Sequence, residues 1–276
     1  MHAYVVNFGG VGNGIMTMPV FQYLIANNIY DTIFCSENRI ITNDTLTQLA
    51  HVHNRLIAVN SSWRRFDKND WDEINSFLHA NTISHIYNFR NENLELYEEF
   101  KKQYPEYDYL DLNFEVLQNR KTQQPVYVDI FNLFRKYHFD NSEKACEWLA
   151  PFRTADQRAF TIGFMVSASQ QNKELPMHTW ISLGKELLAK YPLLQILIFS
   201  GINDHELSFA ETIVHEIQDA RCTFVGKLDM IRTVEKMGTL SCFVSNDTGL
   251  LHACGALGLH AVGLYISTDS EVWKPN

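Results

Sequence analysis

The sequence predicts an α/β protein made of two Rossmann-like domains facing a central cleft. Three observations lead there: a length of 276 residues, two successive series of short apolar runs alternating with amphipathic stretches, and a composition suited to packed interiors. An ordinary α/β domain takes about 100 to 150 residues, so this chain has room for two. Hydrophobic residues make up 46% of the chain and charged residues 20%, a globular balance rather than a disordered one.

The first series places strands at 3–8, 32–36, 55–60, 84–89 and 107–112, with helices at 15–28, 43–52, 70–80 and 92–103. Short apolar runs separated by helices mark parallel strands covered on both faces. A more polar stretch, 113–157, holds helices around Val128 to Tyr137 and Ser142 to Leu149, and Pro151-Phe152-Arg153-Thr154 reads as a linker. The second series places strands at 160–166, 194–200, 222–225, 240–245 and 260–265, with helices near 177–190, 204–219, 229–237 and 248–257. The expected domains are therefore 1–154 and 155–276. Ligands of such sheets bind at the carboxyl ends of the strands.

The formal net charge of −9 gives no broad basic surface, so a nucleic-acid partner is not expected. Five cysteines without a C-x-x-C pair suit a reducing compartment rather than a disulfide framework. Met1 leads directly into the strand-like Ala3-Tyr4-Val5-Val6-Asn7-Phe8, which is no secretion signal. Apolar runs fall short of the roughly 18 to 20 residues of a membrane helix. The expected location is the cytoplasm, with a peripheral contact at the inner membrane left open.

Phe8-Gly9-Gly10-Val11-Gly12-Asn13-Gly14 lies between the first strand and the first helix. Glycines there allow positive φ and close approach of a ligand, so Gly12 and Gly14 are candidate contacts for an anion or a sugar ring. The plain alternative is a tight turn joining strand to helix. The spacing is not G-x-G-x-x-G, and no acidic residue ends a second strand at the usual distance, so a dinucleotide site is weakly supported.

Three segments of the second half point to a diphosphate. After the strand ending at Val166, a loop carries Ser167, Ser169 and Lys173 before Pro176. The hydroxyls can donate to phosphate oxygens and the ammonium supplies positive charge, unless these are ordinary loop residues. Glu206, past the next strand, is placed to hold a ribose, although an acid in the first turn of a helix also satisfies the helix dipole. The third segment, Ser245-Asn246-Asp247-Thr248-Gly249, runs from a buried strand into an apolar helix. Asp247 or Thr248 can cap that helix, and the N–H groups around Gly249 make an anion seat. His252 lies one turn on and can reach a phosphate or a sugar hydroxyl; otherwise it is a core histidine.

These residues together resemble glycosyltransferase family 9, the bacterial lipopolysaccharide heptosyltransferases. The run Ser245 to Gly258 is similar to the family's S-x-D-T-G-x-x-H-x-A-x-A-L-G signature. Val11 to Pro19 resembles its G-D-x-x-x-T-x-P motif, and the loop up to Pro176 its K-x-W-P region. Thr268-Asp269 with Trp273 and Pro275 resembles T-D-P … W-x-P. The resemblance implies a GT-B fold and inverting transfer of a heptose or hexose from a nucleotide-diphosphate sugar, an ADP-sugar above all, to a glycan or glycolipid acceptor. It implies donor contacts at Ser169, Lys173, Glu206, Asp247, Thr248, Gly249 and His252. Lys173 would offset charge on the leaving diphosphate. Neither a metal nor a resident cofactor is implied.

Two departures stand out. The acidic residue expected in the N-terminal motif, the family's general base, is Asn13 here, and an amide cannot take a proton near neutral pH. The chain also stops at Asn276, where family members continue with further helix, so a shortened form is expected. A GT-B scaffold that binds nucleotide or a partner without transfer, and a nucleotide-sugar 2-epimerase, stay open as alternatives. Arg90, after the fourth strand, is the acceptor candidate. Trp63-Arg64-Arg65-Phe66 reads as a solvated loop or as a contact for an acceptor glycan or an acidic lipid head group, and His51-Val52-His53 as surface residues rather than metal ligands.

Overall fold

Every apolar run assigned to a strand forms one in the computed structural model, in two five-stranded sheets. The structure describes residues 1–7, 11–36, 54–89, 93–111, 125–133, 147–154 and 160–275. They divide into two units, Met1–Ala145 and Cys146–Asn276.

In the first unit the chain runs through β1 (His2–Asn7), α1 (Val11–Ala26), β2 (Thr32–Cys35), β3 (Leu56–Ala58), α2 (Trp71–Ala80), β4 (Ile83–Asn88), α3 (Leu94–Gln103), β5 (Asp108–Asp111) and α4 (Val126–Leu133). The sheet order is β3-β2-β1-β4-β5, every pair parallel. Tyr4, Val6, Ile74, Leu78, Ile86 and Phe100 fill one face.

Helix α1 begins at Val11, not Ile15, so Gly12, Asn13 and Gly14 belong to its first turn rather than to a preceding loop. Neither glycine takes a positive φ. The helix is buried continuously from Asn13 to Phe21, and that burial outweighs the low helix propensity of two glycines, roughly 1 kcal/mol each. The helix expected over 43–52 lies outside the described residues.

The second unit holds β6 (Thr161–Met165), α5 (Met177–Lys190), β7 (Gln195–Phe199), α6 (Asp204–Ile217), β8 (Cys222–Phe224), α7 (Met230–Gly238), β9 (Cys242–Asn246), α8 (Gly249–Leu257), β10 (Ala261–Leu264) and α9 (Ser270–Trp273). Its order, β10-β9-β6-β7-β8, is again fully parallel. Phe164, Trp180, Ile196, Ile198, Ala210 and Ile213 form the core between β6, β7, α5 and α6.

The stretch read as a linker belongs to this unit. Ala150–Phe152 form a 3-10 turn, Leu149 N donates to Ala256 O at 2.8 Å, and Arg153 Nη1 to Leu240 O at 2.9 Å. Thr154 N donates to Gly238 O. The helix expected over 142–149 falls mostly outside the described residues, and 147–149 lead into the turn without helix.

Candidate functional site

Strand β9 lies beside β6, although β7 and β8 come between them in sequence, so the winding of the sheet reverses there. Between such strands the connections leave in opposite directions and open a crevice at the carboxyl ends. The loops after β6 and β9 meet there, and the β7 loop adjoins.

Asn246 ties the first two together. Its Nδ2 donates to Val166 O at 2.8 Å, and its Oδ1 accepts Leu175 N–H at 3.2 Å, so one buried amide holds both ends of the loop carrying Lys173. Asp247 then receives two donors on one oxygen. Lys173 Nζ lies 2.7 Å and Thr268 Oγ1 2.8 Å from Oδ2.

Thr248 occupies the N-cap position of α8, but no side chain makes the capping hydrogen bond there. Its hydroxyl is 3.2 Å from Ser245 Oγ, and the Asp247 carboxylate is engaged by Lys173 and Thr268. The expected side-chain cap is therefore absent, because a charge-assisted pair competes better for the carboxylate than a backbone N–H does. The leading end of α8 at Gly249 is left with its dipole and without a side-chain cap.

His252 is buried one turn further along, with no hydrogen-bond partner for Nδ1. Burial lowers its pKa to about 4; nearby Asp247 opposes that shift and Lys173 adds to it. The ring is therefore neutral at physiological pH.

Glu206 follows β7, in the first turn of α6. Asn203 Oδ1 accepts Glu206 N–H at 2.9 Å, and Asn203 Nδ2 donates back to the Glu206 carboxylate, a reciprocal cap. That carboxylate is buried, which raises its pKa. It lies so close to Gly201 that a Cβ there would sit 2.1 Å from Oε1.

Ser167 departs from expectation. Its fully buried hydroxyl accepts Gly201 N–H at 3.1 Å and so links the β6 and β7 loops instead of standing open to a phosphate. Ser169 is exposed on the same loop. Lys173, Asp247, Thr248 and His252 thus come together, with Glu206 on the neighbouring loop. Sequence reasoning did not single out Asn246, Thr268, Gly201 or Glu174 as site residues; Glu174 Oε1 accepts Ala168 N–H and Oε2 pairs with His205.

Gly12, Asn13 and Gly14 lie in the first unit. Asn13 is buried there, and its backbone carbonyl accepts Thr17 Oγ1 at 2.7 Å. Arg90, His51 and His53 lie outside the described residues. Trp63 and Phe66 are core residues rather than parts of a solvated loop, because a 3-10 turn at Ser61–Arg65 points both rings inward. Asp70-Trp71-Asp72, an Asp-x-Asp sequence, forms the start of α2, where acids favour the helix dipole. Among the described residues, no group of three or more His, Cys, Asp or Glu side chains is placed to hold a metal ion.

Comparison with known proteins bears on the fold and the family. The chain is similar in fold to E. coli heptosyltransferase WaaC with ADP, at a TM-score of 0.68 and 17% identity over 100% of this chain and 90% of that one. It is similar to a family 9 glycosyl transferase from Veillonella parvula, at 0.70 and 13% over 100% and 84%. A putative UDP-N-acetylglucosamine 2-epimerase from Listeria monocytogenes matches at 0.63 and 12% over 98% and 80%. At such identities the likeness speaks for the fold, which is GT-B. No curated protein matches by sequence. The profile of glycosyltransferase family 9 (heptosyltransferase) matches residues 98–276, well over half of the chain, and the chain belongs to that family.

Proposed function

We propose that this protein is an inverting glycosyltransferase that moves a heptose or hexose from a nucleotide-diphosphate sugar, an ADP-sugar first of all, to a bacterial surface glycan acceptor of the lipopolysaccharide kind. The observation that carries the reading is the pairing of Lys173 with Asp247 beside the uncapped leading end of α8. An ammonium and a set of helix N–H dipoles at a switch point form a seat for a diphosphate.

In the reaction, an acceptor hydroxyl oxygen attacks the anomeric carbon from the face opposite the leaving group. The bond from that carbon to the diphosphate oxygen breaks, and the nucleoside diphosphate departs with the bonding electrons. The Lys173 ammonium turns from Asp247 toward the departing oxygens and offsets their charge, and the N–H groups at Gly249 share the load. Ser169 and the Thr248 hydroxyl donate to phosphate oxygens, Glu206 accepts from ribose hydroxyls, and neutral His252 donates a hydrogen bond without adding charge. The acceptor proton goes to a base other than Asn13, whose amide orients the acceptor. Gly12, Gly14 and Arg90 belong to the acceptor side in this reading, and no metal takes part.

Calorimetry with ADP, UDP and their sugars tests it. Binding of one of them, weakened in Lys173→Ala, is expected; failure of all to bind refutes the reading. Asn13 favours a second reading, a scaffold that binds nucleotide without transfer, and formation of a glycoside product excludes that. An epimerase would convert the donor sugar alone, which an acceptor-free NMR assay detects. Among the described residues no helix is long and apolar enough to cross a membrane. The proposed setting is the cytoplasm, peripheral to the inner membrane where such acceptors are assembled.

A further inference from the structure

Glu174 follows Lys173, and its side chain is as secluded as that of Asp247, at 7% exposed against 6%. Its Oε1 accepts Ala168 N–H at 2.9 Å and its Oε2 lies 3.1 Å from His205 Nε2. One carboxylate therefore fastens three places: the start of the β6–α5 loop, the end of that loop, and the first turn of α6. Each place adjoins a residue of the proposed donor site. Lys173 precedes Glu174 in the chain, and Glu206 follows His205.

Packing does not explain the contact. A secluded carboxylate is costly unless it is paired and hydrogen-bonded, whereas a neutral side chain would close the loop without that cost. His205 is 45% exposed and adds little to the core. Its ring lies 5.9 Å from that of Phe209, one turn along α6, which holds it toward the loop. The arrangement sets the distance between two ligand-binding segments.

We propose that Glu174 and His205 are positioning residues that hold the Lys173 loop and the Glu206 helix end at one spacing, so that a nucleoside diphosphate is gripped by its diphosphate and its ribose together. The inference rests on the donor site proposed above. A ligand spanning both segments gains from their preset spacing, and a ligand touching one of them does not.

The test compares the wild type with His205→Ala, His205→Gln, Glu174→Gln and the His205→Ala/Glu174→Gln pair. Calorimetry measures ADP and UDP, and NMR titration measures inorganic pyrophosphate alone. His205→Ala should weaken the nucleoside diphosphate about tenfold and leave pyrophosphate unchanged. His205→Gln, which can still donate to Glu174, should recover most of the loss, and the paired variant should bind no more weakly than Glu174→Gln. Unchanged ADP and UDP affinity in His205→Ala overturns the proposal, as does an equal loss of pyrophosphate or a glutamine that behaves like alanine. If Glu174→Gln does not fold, the two half-exposed His205 variants decide the matter. A wild type that binds neither ADP nor UDP overturns the donor-site reading itself, a different result from an unaffected His205→Ala.

Discussion

Lys173 and Asp247 stand 74 positions apart in sequence and meet at 2.7 Å, with the carboxylate almost fully secluded and the ammonium partly open to solvent. Removing each partner therefore has a different consequence. Lys173→Ala leaves a buried carboxylate with Thr268 as its remaining side-chain donor, while Asp247→Ala leaves an ammonium that can turn to water. Lys173→Ala should lose about 2 kcal/mol of stability and Asp247→Ala about 1. Urea unfolding of the two variants checks the order, and a larger loss in Asp247→Ala would contradict it. Binding of a nucleoside diphosphate should fall by about 10²-fold in Lys173→Ala, as two charge-assisted contacts disappear.

Gly201 tests Glu206 without touching the latter. An added Cβ would fall 2.1 to 2.2 Å from the Glu206 carboxylate, the movable end of a side chain, so the carboxylate must swing away. Gly201→Ala should cost less than about 1 kcal/mol in stability yet weaken nucleoside binding about tenfold. Calorimetry alongside thermal unfolding separates the two effects, and intact binding would remove Glu206 from the site.

His252 makes stability depend on pH in a direction that follows from its environment. Its folded-state pKa is about 4 against an ordinary 6.5, so as pH falls the unfolded chain takes up the proton first. The contribution is complete above pH 6.5 and declines progressively down to about pH 4, by at most about 3 kcal/mol. Burial raises Glu206, which acts with the opposite sign because its protonation relieves a buried charge. The readout is thus the difference between wild type and His252→Leu, which should flatten the acid limb of chemical-denaturation stability between pH 6.5 and 4. Parallel curves would show that the ring is not held neutral.

The inner strands were legible because each is a short apolar run whose burial leaves a mark in composition, as Ile162 to Met165 show with four consecutive buried residues. The proposed diphosphate seat was legible in outline because glycine and a small hydroxyl stand where a strand meets a helix. Its wiring was not. The partners of Asn246, Asp247 and Glu174 lie 80, 74 and 31 positions away, so no local period records them. Ser167 looked like an open hydroxyl because loop position says nothing about burial. The start of α1 was misplaced because glycines in isolation favour a turn, and only the packing of the whole helix reverses that preference.

Gly238 tests where the second unit begins. A Cβ on it would come within 2.1 Å of the backbone oxygen of Phe152, and backbone cannot step aside as a side-chain end can. Gly238→Ala should destabilise the second unit by about 2 kcal/mol. Protease cleavage should then appear within 147–154, the segment fastened to Ala256, Leu240 and Gly238. A variant as stable and as resistant as the wild type would mean that this segment does not belong to that unit.

Asn13 separates an enzyme with an unusual base from a scaffold that has lost one. The residue is 8% exposed in the first turn of α1, where a carboxylate gains from the helix dipole and loses by burial. The burial cost of several kcal/mol exceeds the dipole's gain of at most about 2 kcal/mol, so Asn13→Asp should fold with its stability lowered by about 1 to 3 kcal/mol. If the wild type transfers sugar through another base, the added carboxylate should raise turnover by no more than a few-fold. If the lost base is what limits it, turnover should rise by about 10²-fold or more, with a new acid limb in the pH–rate profile as the carboxylate titrates. Steady-state rates of nucleoside diphosphate release from an ADP-sugar, with and without a lipopolysaccharide-core acceptor, measure both. A variant that binds the donor and yet shows no acceptor-dependent release would leave the scaffold reading in place, because the restored acid would then have nothing to activate.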